Sequence, residues 1–165
     1  MNVIATTTRL KFEAVAIADV GLLFELTADQ KVMKFFPKVL DYNETEQMVR
    51  KIIDHYETYG YCYWKLLSKA KNEFIGIAGL LNQEIDGIAE TEISYRIKPE
   101  YWDSGYATEA AHACKEYAEK ALGKKRLISI IHPQNTASKC VAQKLGAYKS
   151  KSIVFMGEEH EVYVY

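Results

Sequence analysis

One stretch of ten residues, Tyr101-Trp102-Asp103-Ser104-Gly105-Tyr106-Ala107-Thr108-Glu109-Ala110, limits the folds open to this chain more than any other. Before it, Thr91 to Ile97 is rich in Ile, Tyr and Thr, which favour an extended, pleated backbone. After it, Ala107, Ala110, Ala111, Cys114, Ala118, Ala121 and Leu122 recur at helical spacing on one face. The sequence therefore predicts a strand, a tight turn carrying Ser104-Gly105, and a long Ala-rich helix. The start of such a helix has N–H groups without intrahelical acceptors. Its dipole adds about half a positive charge there, which favours an anion such as a diphosphate. Gly105 lets a ligand approach the backbone with no Cβ in the way. A plain strand-to-helix turn with one glycine accounts for the same residues equally well. No Lys-Ser/Thr pair follows the glycine and no G-x-G-x-x-G is present, which excludes a P-loop and a dinucleotide fingerprint.

Trp102-x-x-Gly105-Tyr106-Ala107 resembles the Gln/Arg-x-x-Gly-x-Gly/Ala signature of the GNAT superfamily of acetyl-coenzyme A-dependent N-acetyltransferases. The longer run Pro99-x-x-Trp102-x-x-Gly105-Tyr106-Ala107-Thr108-Glu109-Ala110 is similar to one branch of it, which holds the ribosomal-protein N-terminal acetyltransferases. The resemblance implies that Trp102, Asp103, Ser104, Gly105, Tyr106, Ala107 and Thr108 surround the diphosphate of acetyl-coenzyme A. It also implies that the strand ending at Arg96 and Ile97 pairs through its backbone with the pantetheine arm. Asp103-Ser104 stands where Gly-Lys is commoner in the family, which removes a positive charge near the diphosphate.

Asn135-x-x-Ser138, followed by Lys144-Leu145-Gly146, resembles the family's second block. By that resemblance Asn135 hydrogen-bonds the pantetheine arm or orients the cofactor, and Ser138 sets a hydroxyl near the thioester. Read locally, Asn135 just after Pro133 is an ordinary helix N-cap, and the two roles are compatible. Amide formation from a thioester needs a deprotonated amine, a polarised carbonyl and a proton for the leaving thiolate. The acetyl group is already activated, so the absence of a recognisable nucleophile triad is no obstacle. Many members carry a tyrosine acid in the second block, where this chain has Ala142, so Ser138 or a water it holds is the expected acid. Glu92 matches a strand carboxylate that serves some members as base. Alternation puts Glu92, Ser94 and Arg96 on one face of the strand, opposite Ile93, Tyr95 and Ile97. A solvated carboxylate paired with Arg96 explains Glu92 equally well. Glu109, in the first helical turn, reads as a dipole-stabilising residue, and Glu90 as a hairpin surface charge. Phe35, Phe36, Tyr42, Tyr61 and Trp64 are candidates for the wall of an acceptor pocket, although Phe35-Phe36-Pro37 reads more simply as core.

At 165 residues the chain is long enough for a single domain, residues 1–165, to bury a substantial core. A net charge of −1, with both signs dispersed, shows no footprint for nucleic acid. No apolar run nears the roughly 20 residues of a membrane span, and the N-terminus lacks a signal-peptide pattern. Cys62, Cys114 and Cys140 form no CxxC pair, which points to free thiols in a reducing, cytoplasmic setting, with Cys114 and Cys140 at helical packing positions. The four histidines have no ligand spacing, so no metal is expected.

In chain order, the pattern predicts a first strand at Arg9 to Ala14 and a helix from Ile17 to Thr27. An Asn43/Glu46 capping box opens a helix to Tyr59, ended by Gly60. Strands follow at Tyr61 to Ser68 and Glu73 to Asn82. Asp86-Gly87 then joins an antiparallel hairpin of Gly76–Gln83 with Ile88–Ile97. Beyond the Ala-rich helix come a buried strand at Arg126 to Ile131, a helix from Asn135 to Leu145, and a closing hairpin of Ala147–Phe155 with Glu161–Tyr165. The resulting expectation is an α/β (mixed α+β) GNAT-like fold. It has about seven mostly antiparallel strands, splayed at the cofactor site, and about four helices. The expected activity is acetyl transfer to a primary amine, either a protein N-terminus or a small amine, by a monomer or homodimer. A catalytically silent coenzyme A-binding module is the rival.

Overall fold

The computed structural model describes residues 3–165. Its elements are β1 (Val3–Thr6), β2 (Leu10–Ala14), α1 (Val20–Thr27), α2 (Tyr42–Tyr59), β3 (Tyr63–Ser68), β4 (Phe74–Ile85), β5 (Ile88–Ile97), α3 (Tyr106–Lys120), β6 (Ile128–Ile131), α4 (Thr136–Lys144), β7 (Tyr148–Phe155) and β8 (Glu158–Val164). One eight-stranded sheet runs in the order β1-β2-β3-β4-β5-β6-β8-β7. Every neighbouring pair is antiparallel except β5 and β6.

The β4–β5 hairpin forms the centre of the sheet. Gly76 faces Ile97 and Ile85 faces Ile88 across it. Asp86 and Gly87 both have positive φ (51° and 76°), the backbone that lets a two-residue turn follow the twist of its strands. Strands crowd so closely here that a Cβ on Gly79 would lie 2.0 Å from the Cys62 carbonyl oxygen. α3 buries Ala110, Ala111, Cys114 and Ala118 against the sheet core of Leu80, Ile93 and Leu127. Small side chains on that face let the helix lie close to the strands. On the opposite face, α1 and α2 bury Leu23, Leu26, Val49 and Ile52 against Ile77 and Leu67.

Local chemistry corrects several boundaries. α2 opens at Asp41, not Asn43: the Asp41 carboxylate accepts from the Glu44 amide, and Glu44 reaches back to the Asp41 amide. Both spacings match a capping box, and Glu46 instead pairs with Arg50 one turn on. The first helix begins as a 3-10 turn at Ile17–Asp19 before α1. The sheet has eight strands rather than about seven because β1, unread in the sequence, pairs with β2 across a bulge. The closing hairpin turns at Met156-Gly157, so β8 starts at Glu158, three residues earlier than expected. Cys114 packs in the core, but Cys140 is exposed on α4.

Candidate active site

The parallel pair is where the sheet opens. β5 and β6 share a single register contact, Glu92 opposite Ile128, and diverge from it. Two side chains bridge the apex: Ser129 Oγ donates to the Ile93 carbonyl (2.9 Å), and the Ile130 amide donates to Glu92 Oε2 (3.2 Å). Beyond them the β5 edge from Ser94 to Ile97 has no strand partner on the β6 side among the described residues. A cleft of about 1100 Å³ fills the gap.

The turn after β5 closes one end of this cleft. Trp102 Nε1 donates to the Ile97 carbonyl (2.8 Å), which locks the turn to the strand end. Asp103 and Gly105 take left-handed backbone (φ 55° and 82°). Gly105 is the N-cap of α3 and provides no side-chain cap. The amides of Tyr106, Ala107 and Thr108 are therefore without an acceptor among the described residues. Arg9, from the β1–β2 connection, lies beside this turn. Its Nη1 donates to the Ser104 carbonyl (2.8 Å) and its guanidinium lies 4.1 Å from the Tyr106 ring centroid. Here is a positive charge close to the turn that lacks the family's lysine.

Glu109 ties that connection to the helix. It accepts from the Thr7 hydroxyl, the Arg9 amide and Arg9 Nε at 2.6, 2.8 and 2.7 Å. Burial alone would raise the Glu109 pKa, but these donors and the Arg9 charge hold it below the usual carboxylate value. Its role is thus wider than the helix-dipole one expected from its position.

Glu92 is neither solvated nor ion-paired with Arg96. It is only 6 % exposed, because the β4–β5 ladder and the start of β6 enclose it. Gln83 Nε2 donates to its Oε1 at 2.9 Å. Burial pushes its carboxyl up to about 7, against the Gln83 and Ile130 hydrogen bonds and the more distant Arg96 charge. A carboxylate has about four lone-pair sites, so these two donors leave room for a third.

The second block forms the facing wall. Asn135 caps α4, its Oδ1 accepting from the Ser138 amide at 3.2 Å. One turn in, Ser138 Oγ accepts a hydrogen bond from the Tyr95 hydroxyl (3.2 Å). Burial holds the Tyr95 phenol well above its usual pKa, so it remains a donor. Because Tyr95 donates, this hydrogen bond does not use the proton of Ser138, which lines the cleft. Ala142 is buried among Ile131, Ala147 and Tyr163. It is not among the residues that line the cleft, although its neighbours Ile131 and Val141 are.

Glu92, Arg96, Ile97, Trp102, Asp103, Gly105, Tyr106, Ala107, Thr108, Asn135 and Ser138 all line the one cleft. Ser104 does not, and only its backbone takes part, through Arg9. Of the five aromatic residues expected at the pocket, Phe35 and Phe36 line it. Trp64 packs between Phe12 and Tyr117, Tyr61 bonds Asn82, and Tyr42 stacks on Phe24. Glu90 is masked by a forked pairing with Arg126 rather than standing as a free surface charge. Tyr63 and Tyr95 take the pocket positions the sequence reading gave to others, and strand alternation held the signal for both. His132 and His160 were also missed. They stack between Phe35 and Phe155 to form a far wall, brought together by elements distant in sequence.

Residues 9–148 match the acetyltransferase (GNAT) domain family. This chain belongs to the GNAT acetyltransferase family. It is 33 % identical over 150 residues to YkkB of Bacillus subtilis (strain 168), covering 89 % of this chain and 86 % of that one. A GNAT-family acetyltransferase from Bacillus anthracis superposes with TM-score 0.80 at 25 % identity, covering 100 % and 98 % of the two chains. A ribosomal L7/L12 alpha-N-protein acetyltransferase, solved in complex with coenzyme A, superposes with TM-score 0.75 at 20 % identity over 99 % and 96 %. The GNAT protein described here is thus an acyltransferase of mixed α/β fold, of the class that uses acetyl-coenzyme A for N-acetylation. Its cleft fits that cosubstrate in its own right: an uncapped helix start, a glycine with positive φ and an unpaired strand edge share one wall. Among the described residues there is no cluster of three or more metal-ligating side chains, and no helix long and apolar enough to cross a membrane.

Proposed function

We propose that the protein moves an acetyl group from acetyl-coenzyme A to the amino terminus of a peptide or protein by direct attack of the amine on the thioester. The observation that carries this reading is the wedge between β5 and β6, which opens onto the uncapped start of α3 and has Glu92 at its apex. Acetyl-coenzyme A supplies an acetyl group already activated as a thioester. The amides of Tyr106, Ala107 and Thr108, with the α3 dipole, hold the diphosphate. The free β5 edge pairs with the amide-bearing arm as an added strand would, and its N–H groups polarise the carbonyl. Glu92, with a pKa near neutrality, takes the proton of the incoming ammonium. Ser138, held by Tyr95, protonates the departing thiolate. The likeness to an enzyme described as a ribosomal-protein alpha-N acetyltransferase supports a protein amino terminus as acceptor. The feature that favours a silent coenzyme A-binding module is the absent tyrosine at Ala142, which is not among the cleft-lining residues.

The test is calorimetric titration of acetyl-coenzyme A into the native protein and a Gly105→Glu variant, followed by acetyl transfer to a panel of peptides and small amines. Micromolar binding that the carboxylate abolishes, with turnover on peptide amino termini, supports the reading. Binding unaffected by Gly105→Glu would remove the diphosphate site from it. Transfer only to small amines would remove the peptide acceptor.

A further inference from the structure

The acceptor side of the cleft contains a cation that forms no ion pair among the described residues. Arg96 projects from β5 on the face opposite Tyr95, toward the segment between α1 and α2. Its guanidinium stacks 4.0 Å from the Phe36 ring centroid and lies 6.0 Å from that of Tyr63. Among the described residues its only hydrogen-bond acceptors are the sulfurs of Met33 (3.5 Å) and Met48 (3.9 Å), both weak. Arg96 Nε is buried and has no hydrogen-bond partner among the described residues. Glu92, on the same strand face, is already engaged by Gln83 and Ile130. A part-buried guanidinium whose Nε lacks an acceptor gains from a carboxylate, which its donor fork matches in two places. Lys31, Lys34 and Lys51 also line the cleft, and among the described residues none of them is ion-paired.

We propose, building on the peptide-acetylation reading above, that the acceptor is an acidic amino terminus. Its amine reaches Glu92, a carboxylate in its first residues binds Arg96, and the carboxylates that follow meet the three lysines. An inner guanidinium followed by several outer cations suits a run of acidic residues better than a single carboxylate. The arrangement also assigns the two sides of β5 different tasks. Tyr95 and Ser138 attend the thioester, while Arg96 selects the acceptor.

The experiment compares kcat/KM for peptide pairs that differ only in having Glu or Gln at positions two to four, with free glutamate as a third acceptor. The expected result is a preference of about tenfold or more for the acidic peptide, shrinking as salt is raised. Arg96→Gln should bring the ratio of the two peptides near one, and Arg96→Lys should restore part of it. Acetyl-coenzyme A titration of each variant verifies an intact donor site. Should Arg96→Gln fail to fold, exchanging Lys31, Lys34 and Lys51 together for Gln should raise KM for the acidic peptide alone. Equal use of both peptides, loss of both alike in the variants, or a preference for free glutamate would overturn the proposal while leaving acetyl transfer standing. No transfer to any amine, with acetyl-coenzyme A still bound, would instead defeat the acetyl-transfer reading beneath it.

Discussion

Glu92→Gln is the substitution that most directly tests the physical account of the site. Burial raises this carboxyl from an ordinary 4.5 to about 7. Between those two values the native state keeps a proton that the unfolded chain has released. Native protein then binds more protons than unfolded, so stability falls as pH rises through this window. Two and a half pH units at about 1.4 kcal/mol each come to about 3.5 kcal/mol by pH 8. Glutamine escapes that cost but has one acceptor oxygen where the carboxylate has two. Either Gln83 Nε2 or the Ile130 amide, both of which donate to Glu92, then loses its partner at about 1–2 kcal/mol. The variant should therefore be about 2 kcal/mol more stable than the native protein at pH 8, and less stable by up to about 1 kcal/mol at pH 5, where the raised carboxyl costs only about 0.7 kcal/mol. Urea unfolding at the two pH values measures this. A stability difference that stays constant from pH 5 to 8 would show that Glu92 carries no raised pKa and refute the argument. The same variant should lose tenfold or more in turnover at pH 8, together with the rise in rate through pH 7 that deprotonation of the base produces. A loss below about twofold would remove Glu92 as the base.

Two further outcomes follow from the hydrogen bonds around the cleft. Ser138→Ala should lower kcat by roughly tenfold to a hundredfold with little change in KM for acetyl-coenzyme A. Tyr95→Phe should lower it less, and the double variant should be no slower than Ser138→Ala, since Tyr95 acts through Ser138; additive losses in steady-state kinetics would separate the two. Glu109→Ala leaves Thr7 and Arg9 without their shared acceptor and should cost about 2 kcal/mol in urea unfolding near neutral pH. Because the Glu109 pKa is depressed, that contribution is present above the ordinary carboxylate value and fades as pH falls through the native one, so the two proteins should converge in acid.

Most of the scaffold was readable because its signals are local. The Asp86-Gly87 hairpin, the Ser-Gly turn with its Ala-faced helix and the Asn135 cap each depend on residues a few positions apart. The Asn43/Glu46 reading failed because Asp41 and Glu44 have the same spacing, and only the hydrogen-bond partners separate the two pairs. The strand face carrying Glu92 followed from alternation. Its burial did not, because that is produced by Gln83 and Ile130 arriving from other strands. The pairing of Tyr95 with Ser138 spans 43 positions, and that of Arg9 with Glu109 spans 100. Nothing in periodicity encodes a contact of that range.

The single contact between β5 and β6 has a mechanical consequence. Five strands on one side and three on the other meet at one residue pair, Glu92 and Ile128, so the sheet is two leaves on a short spine rather than one continuous plate. An elongated guest lying along the β5 edge acts as a splint across the gap, stiffening the smaller leaf against the larger. The effect of donor binding should then spread past the residues it touches: amide exchange should slow in β6 and β8, which are joined to each other by four register pairs. The Glu92 carboxyl sits on that spine, so the group that would accept the proton is also placed where the leaves are joined.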